Sequence, residues 1–210
     1  MIKKSFLLII ALLMFAHQKS SWALDCYPLQ ISFTQSAQIA SSEKSVCGLR
    51  LNLPIGSNNN VTGIDIGLIG AAVKSRGIQL NIINVSDENT GLQIAGLFNL
   101  TETVRGIQVA PLANYNLGIH TSPDMVGLQL AMFLNNHDGD ITGAQIGLFN
   151  WATNLHGVQA GLINNVEYSV TGFQVGLVNV AHELKGVQIG LLNIAHNGIQ
   201  PYFPLINIGF

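Results

Sequence analysis

Four stretches decide the reading of this chain: GAQIGLFNWA at 143–152, GVQAGLINNV at 157–166, GFQVGLVNVA at 172–181 and GVQIGLLNIA at 186–195. All are copies of one phrase, Gly-apolar-Gln-apolar-Gly-Leu-apolar-Asn-apolar-Ala, spaced 14 or 15 residues apart. Looser copies begin at Gly48, Gly63, Gly77, Gly91, Gly106 and Gly127. The first six residues of a copy alternate strictly, with Val187, Ile189 and Leu191 on one side and Gly186, Gln188 and Gly190 on the other, which is the period of a β-strand. At Leu191-Leu192 the parity flips. A bulge or corner there returns all the apolar residues to one face and leaves Gly, Gln, Gly, Asn and Ala on the other.

The residue before each glycine carries a second signal. Thr62, Thr90, Thr142 and Thr171 alternate with Arg76, Arg105, His156 and Lys185. Such a pairing of turns is what an up-and-down antiparallel meander produces, because its successive turns lie at opposite ends of the sheet. A longer period places Gly63, Gly77 and Gly106 over Gly143, Gly157 and Gly186. With short strands near Gly118 and Gly198, the chain reads as a duplicated half of about six strands. The expected fold is therefore all-β, an antiparallel up-and-down β-barrel of about twelve strands crossing an outer membrane with its apolar side to lipid. The alternative is a β-solenoid of 14–16-residue repeats, apolar residues inward and the Gln/Asn face in water.

The ends bound the rest. Lys3 and Lys4, the apolar run from Phe6 to Ala16 and Ser21-Trp22-Ala23 read as a signal peptide over 1–23. An N-terminal segment follows over 24–47 and the repeat domain over 48–210. Export predicts a disulfide between the two cysteines, Cys26 and Cys47, worth roughly 3 kcal/mol in the chain-entropy model. Loss of Lys3, Lys4 and Lys19 leaves six Lys and Arg against eleven Asp and Glu, a formal charge of about −5, which argues against nucleic acid as a partner. Charged residues are only 10% of the chain and hydrophobic ones 48%. The ending YFPLINIGF, with Tyr202, Ile206, Ile208 and Phe210, is similar to the C-terminal signal by which outer-membrane barrels are assembled, and implies the outer membrane and its assembly machinery as partners.

Together, the phrases from Gly172 to Gly198 and the Pro-Leu-Ile-Asn ending resemble a family of bacterial surface-repeat proteins, over roughly Gly48 to Phe210. That resemblance implies a cell-envelope or surface location and no particular activity. The copies at Gly91, Gly106 and Gly127 depart from it by placing Asn99, Asn114 and Asn135 one residue late.

Little in the chain suggests chemistry. His137-Asp138-Gly139-Asp140 offers oxygen and imidazole groups, but too few for a cation site, and reads as a solvated turn. His120, His156, His182 and His196 read as surface or interfacial side chains rather than a zinc site. Arg50 and Asp65 replace glutamine in their copies and would pair only if they face one interior. Gln79, Gln93, Gln108, Gln129, Gln145, Gln159, Gln174 and Gln188 form the regular polar face, read as a hydrogen-bonding ladder. No catalytic residue, cofactor or metal is expected. The functional expectation is a non-enzymatic envelope protein, outer-membrane or surface-located, with a structural, interaction or small-solute passage role and an unknown ligand. For the alternative fold, it is a soluble or surface-attached solenoid, periplasmic or secreted, binding a partner through its Gln/Asn face.

Overall fold

The computed structural model describes residues 26–117 and 124–210; the expected signal peptide, His120 and the short strand expected near Gly118 lie outside them. Eleven strands follow one another: β1 (Cys26–Ser32), β2 (Ser45–Ala110), β3 (Ala113–Asn116), β4 (Met125–Ala131), β5 (Leu134–Ile146), β6 (Phe149–Ala160), β7 (Ile163–Val166), β8 (Ser169–Val175), β9 (Val178–Ala181), β10 (Glu183–Ala195) and β11 (Tyr202–Gly209). They wind a β-solenoid of about eleven turns, without helix among the described residues. Drawn straight, the 66 residues of β2 would run for about 220 Å at 3.3 Å each. Instead the chain turns its corners while keeping extended backbone.

One coil shows the plan. β8 and β9 form its two sides, joined at the corner Gly176-Leu177, and β10 supplies both sides of the next coil. Gly186 lies over Gly172, Gln188 over Gln174 and Asn193 over Asn179, with all three strands parallel. The same register carries β6 onto β8 and β4 onto β5. This overturns the barrel. An up-and-down meander needs antiparallel neighbours throughout, whereas among the described residues the one antiparallel pair of strands is β10 with β11, which closes the C-terminal end.

The alternation that suggested opposite turns has another cause. Arg105, Val126, Thr142, His156, Thr171 and Lys185 are successive neighbours in one exposed column. Rungs of a parallel stack are about 4.8 Å apart, so a threonine between two basic side chains keeps them roughly two rungs from one another.

Glycine opens each coil because no other residue fits. The nine glycines from Gly63 to Gly186 have φ between 124° and 148°. A Cβ on any of them would run into the carbonyl oxygen of the glycine one coil below. Only the bare backbone of glycine lets successive coils approach this closely.

The late asparagines do not break the stack. Asn99, Asn114 and Asn135 pair in sequence across β2, β3 and β5. Their extra residue is taken up in the corners, where Leu112 bonds to Leu97 and Leu134 to Leu112 through the backbone. A small aliphatic core fills the side away from the leucine corner: Val104, Met125, Ile141, Leu155, Val170 and Leu184 in one column, with Ala152, Val166, Ala181 and Ala195 beside them. Cys26 and Cys47 are joined, tying β1 to the first coil of β2. The bond fits an oxidising, exported compartment.

Candidate functional site

The structure inverts the faces expected of a solenoid. Every glutamine of the regular set, Gln79, Gln93, Gln108, Gln129, Gln145, Gln159, Gln174 and Gln188, is 0% exposed, as are the asparagines from Asn84 to Asn193 that follow them in each coil. The aliphatic residues of the phrase lie outside. A partner cannot reach a Gln/Asn face, because that face is the interior. The chain turns at the Gly-Leu step, and the ladder asparagines fill the space inside that corner so closely that a Cβ on Gly161, Gly176 or Gly190 would meet their amide nitrogens.

An amide has two N–H donors and one oxygen acceptor, and an identical amide one rung away matches it. Each glutamine Nε2 donates to the Oε1 of the glutamine one coil earlier, from Gln188→Gln174 to Gln93→Gln79, at 2.6–2.9 Å. Asparagines do the reverse. Each Nδ2 donates to the Oδ1 one coil later, from Asn84→Asn99 to Asn179→Asn193, at 2.8–2.9 Å. The second N–H of each asparagine is spent on the backbone carbonyl of the residue after the next glutamine, from Ile94 to Ile189, which closes the corner. The two ladders therefore polarise in opposite directions within one coil, each reinforcing itself along its length while their dipoles oppose across the interior.

At its N-terminal end the glutamine ladder terminates on charge. Gln79 donates to Asp65 at 3.1 Å, and Asp65 receives Arg50 in a two-pronged pair, Nε–Oδ1 at 2.9 Å and Nη2–Oδ2 at 2.6 Å. Both side chains are buried, and Asn81 also donates to Asp65. The pair left open by the sequence is thus made. At the other end Gln188 Oε1 is buried with no donor, since β11 runs antiparallel there and brings Asn207 opposite Gln188 without continuing the ladder.

The residues read as an assembly signal form this cap. Tyr202, Ile206, Ile208 and Phe210 belong to or follow β11, with Phe210 fully projecting at 95% exposure; there is no barrel for them to close. Nor is there a lumen for solutes, because the ladders and the aliphatic column occupy the inside.

The acidic turn also differs from its reading. His137 is not solvated but points inward beneath Asn116, in the column that continues as Ala152. Burial lowers its pKa to about 4, against the opposing pull of Asp124, Asp138 and Asp140. Among the described residues no three His, Cys, Asp or Glu side chains are placed to hold a metal ion. His156, His182 and His196 are exposed, the last two with ring centres 4.6 Å apart.

What the molecule offers to its surroundings is the outside of the phrase. In the nine coils from Gly63 to Ile194, no outward residue between the opening glycine and the position after the ladder asparagine, or after Gly70 in the first of them, is charged. Ile64, Ile78, Ile107 and Phe173 lie on one flank, Leu148, Leu162, Leu177 and Leu191 along the corner, and Leu100 and Trp151 on the other flank, all exposed. Where the corner meets the cap, Leu162, Leu177, Ile189, Leu191, Leu205 and Ile206 line a shallow apolar groove of about 700 Å³. Arg76, Arg105 and Lys185 border that surface on one flank, and Lys74, Glu88, Glu167 and Glu183 lie beyond it. The alternation revealed one apolar face; its being outside was not visible, because the pattern is the same in either sense.

No family model, curated protein or solved structure matches this chain. The resemblance to surface-repeat proteins therefore rests on the phrase and the Pro-Leu-Ile-Asn ending alone.

Proposed function

We infer that this is a non-enzymatic, exported β-solenoid of the cell envelope whose working part is its charge-free aliphatic surface, a contact surface for an apolar partner. The observation that carries the reading is the segregation just described: nine coils with no charged residue on the corner or its flanks, and the charges gathered at the border of that surface and beyond it. Contiguous apolar surface of this kind on a monomer marks an interaction site. Aliphatic contact, rather than chemistry, is what such a surface can supply. The disulfide supports export, and the repeat phrase a surface location.

Phase partitioning tests it. In a detergent solution that separates on warming, the chain should move to the detergent-rich phase, and Leu162→Asp with Leu177→Asp should return it to the aqueous phase. Recovery of the unaltered chain in the aqueous phase would overturn the reading.

A further inference from the structure

We propose that the apolar partner is one leaflet of a phospholipid bilayer, into which the solenoid lies as a wedge, its axis parallel to the membrane and its leucine corner deepest. The proposal rests on the contact-surface reading above and names the occupant. Four features of the coil converge on it.

The first is shape. The apolar surface is convex, covering a corner and the flanks on both sides of it, so a flat partner or a second copy seated on one flank leaves the other two parts in water. Acyl chains flow around all three. The second is depth. From Leu177 at the corner back to Phe173 is four residues, about 13 Å at 3.3 Å per residue, against about 15 Å for half of a 30 Å hydrocarbon core. The third is backbone satisfaction. Hydrocarbon excludes any surface with unpaired N–H or C=O groups. In a solenoid those groups point along the axis to the coils above and below, as the parallel registers show, so the strands along its long sides present paired groups.

The fourth is the rim. On one flank the apolar surface ends at the column containing Arg76, Arg105, His156 and Lys185. On the other, Tyr115, Asn136, Trp151 and Asn165 are successive members of one column, which ends on Tyr202 through Ile194. Tyrosine and tryptophan, apolar in body and polar at the tip, belong at the level of lipid headgroups. Beyond the rim come both signs, Lys74 with Asp87, Glu88, Glu167 and Glu183, which suits zwitterionic headgroups rather than a strongly anionic surface.

Flotation of the full chain with vesicles of phosphatidylethanolamine containing a minor share of phosphatidylglycerol tests the proposal, alongside light scattering of the chain without lipid. The chain should float with the vesicles, and raised salt should leave the bound fraction nearly unchanged, since apolar burial drives the partition. Leu162→Asp with Leu177→Asp should weaken partition by at least about tenfold, while Thr171→Asp on the charged edge should not. Both positions of the double variant are exposed, and its circular dichroism and melting temperature should match those of the parent. If the double variant floats as well as the parent, the wedge is wrong. A chain that stays at the bottom as an oligomer, and becomes monomeric in the double variant, overturns the lipid occupant but keeps the contact surface. A monomer that stays at the bottom overturns both.

Discussion

The interior amides stabilise the solenoid as a series, so the cost of losing one depends on its place in that series. Gln145 donates to Gln129 and to the Trp151 carbonyl and accepts from Gln159. Gln145→Leu thus strands a donor as well as two acceptors. At the C-terminal end Gln188 donates to Gln174 and to the Ile194 carbonyl, and its own oxygen receives nothing. Gln188→Leu strands no donor and removes an oxygen already without a partner. A buried group left unsatisfied costs about 1–3 kcal/mol, so Gln145→Leu should destabilise by that much more than Gln188→Leu in urea unfolding. Equal losses would mean that the ladders contribute by packing alone. His137 adds a pH dependence. Its folded pKa of about 4 lies below the 6.5 of the free side chain, so the unfolded chain binds its proton more readily. Stability is unaffected above about pH 6.5, falls as pH drops towards 4, and has lost about 3 kcal/mol below it. His137→Asn, which extends the column from Asn116, should flatten that part of the profile of melting temperature against pH.

At the scale of the coil, in-register stacking repeats each outward side chain every 4.8 Å or so, and charge must be spaced accordingly. Gly91 stacks between Gly77 and Gly106, which puts Thr90 between Arg76 and Arg105. Thr90→Lys would set three cations in adjacent rungs. Each new neighbour costs about 1 kcal/mol in water at low ionic strength, and salt screens it. The variant should therefore melt below the parent in dilute buffer and approach it in concentrated salt; an offset indifferent to salt would point to packing instead. The same column explains what was legible in the sequence. Period-two alternation, the corner at the leucine pair and the single-residue shift at Asn99 could all be read, since each is local. The direction of neighbouring strands could not, because alternating Thr and Arg fit both a meander with two kinds of turn and a stack that separates charge. Nor could the buried face. Aliphatic residues inside is the usual arrangement, and the advantage of Gln79 to Gln188 inside arises only once eight identical amides stand in line, which no single copy of the phrase displays.

For the molecule as a whole, a stack of like coils has no natural end, and its stability is close to a sum over neighbouring contacts. Each terminus therefore needs a device that stops the pairing. At the N-terminal end the glutamine ladder stops on the Arg50–Asp65 pair and β1 is tied down by Cys26–Cys47. At the C-terminal end β11 reverses direction against β10, and Pro204, which has no N–H to offer, stands in this last strand. A reversed strand with a proline on the edge is how natural sheets refuse a further partner. Phe210 takes little part, being 95% exposed, so its deletion alone should change the unfolding free energy by no more than the about 0.5 kcal/mol typical of surface changes. Removing residues 200–210 should act quite differently. It uncovers the edge of β10 and leaves Gln188 Oε1 facing outward as an acceptor for one more rung, so truncated chains should associate at that edge, increasingly with concentration. Sedimentation at several concentrations, in detergent that keeps the aliphatic surface covered, separates this association from any contact made through the leucine corner. A truncated chain that remains monomeric under those conditions would show that β11 covers the end of the stack without being what limits it.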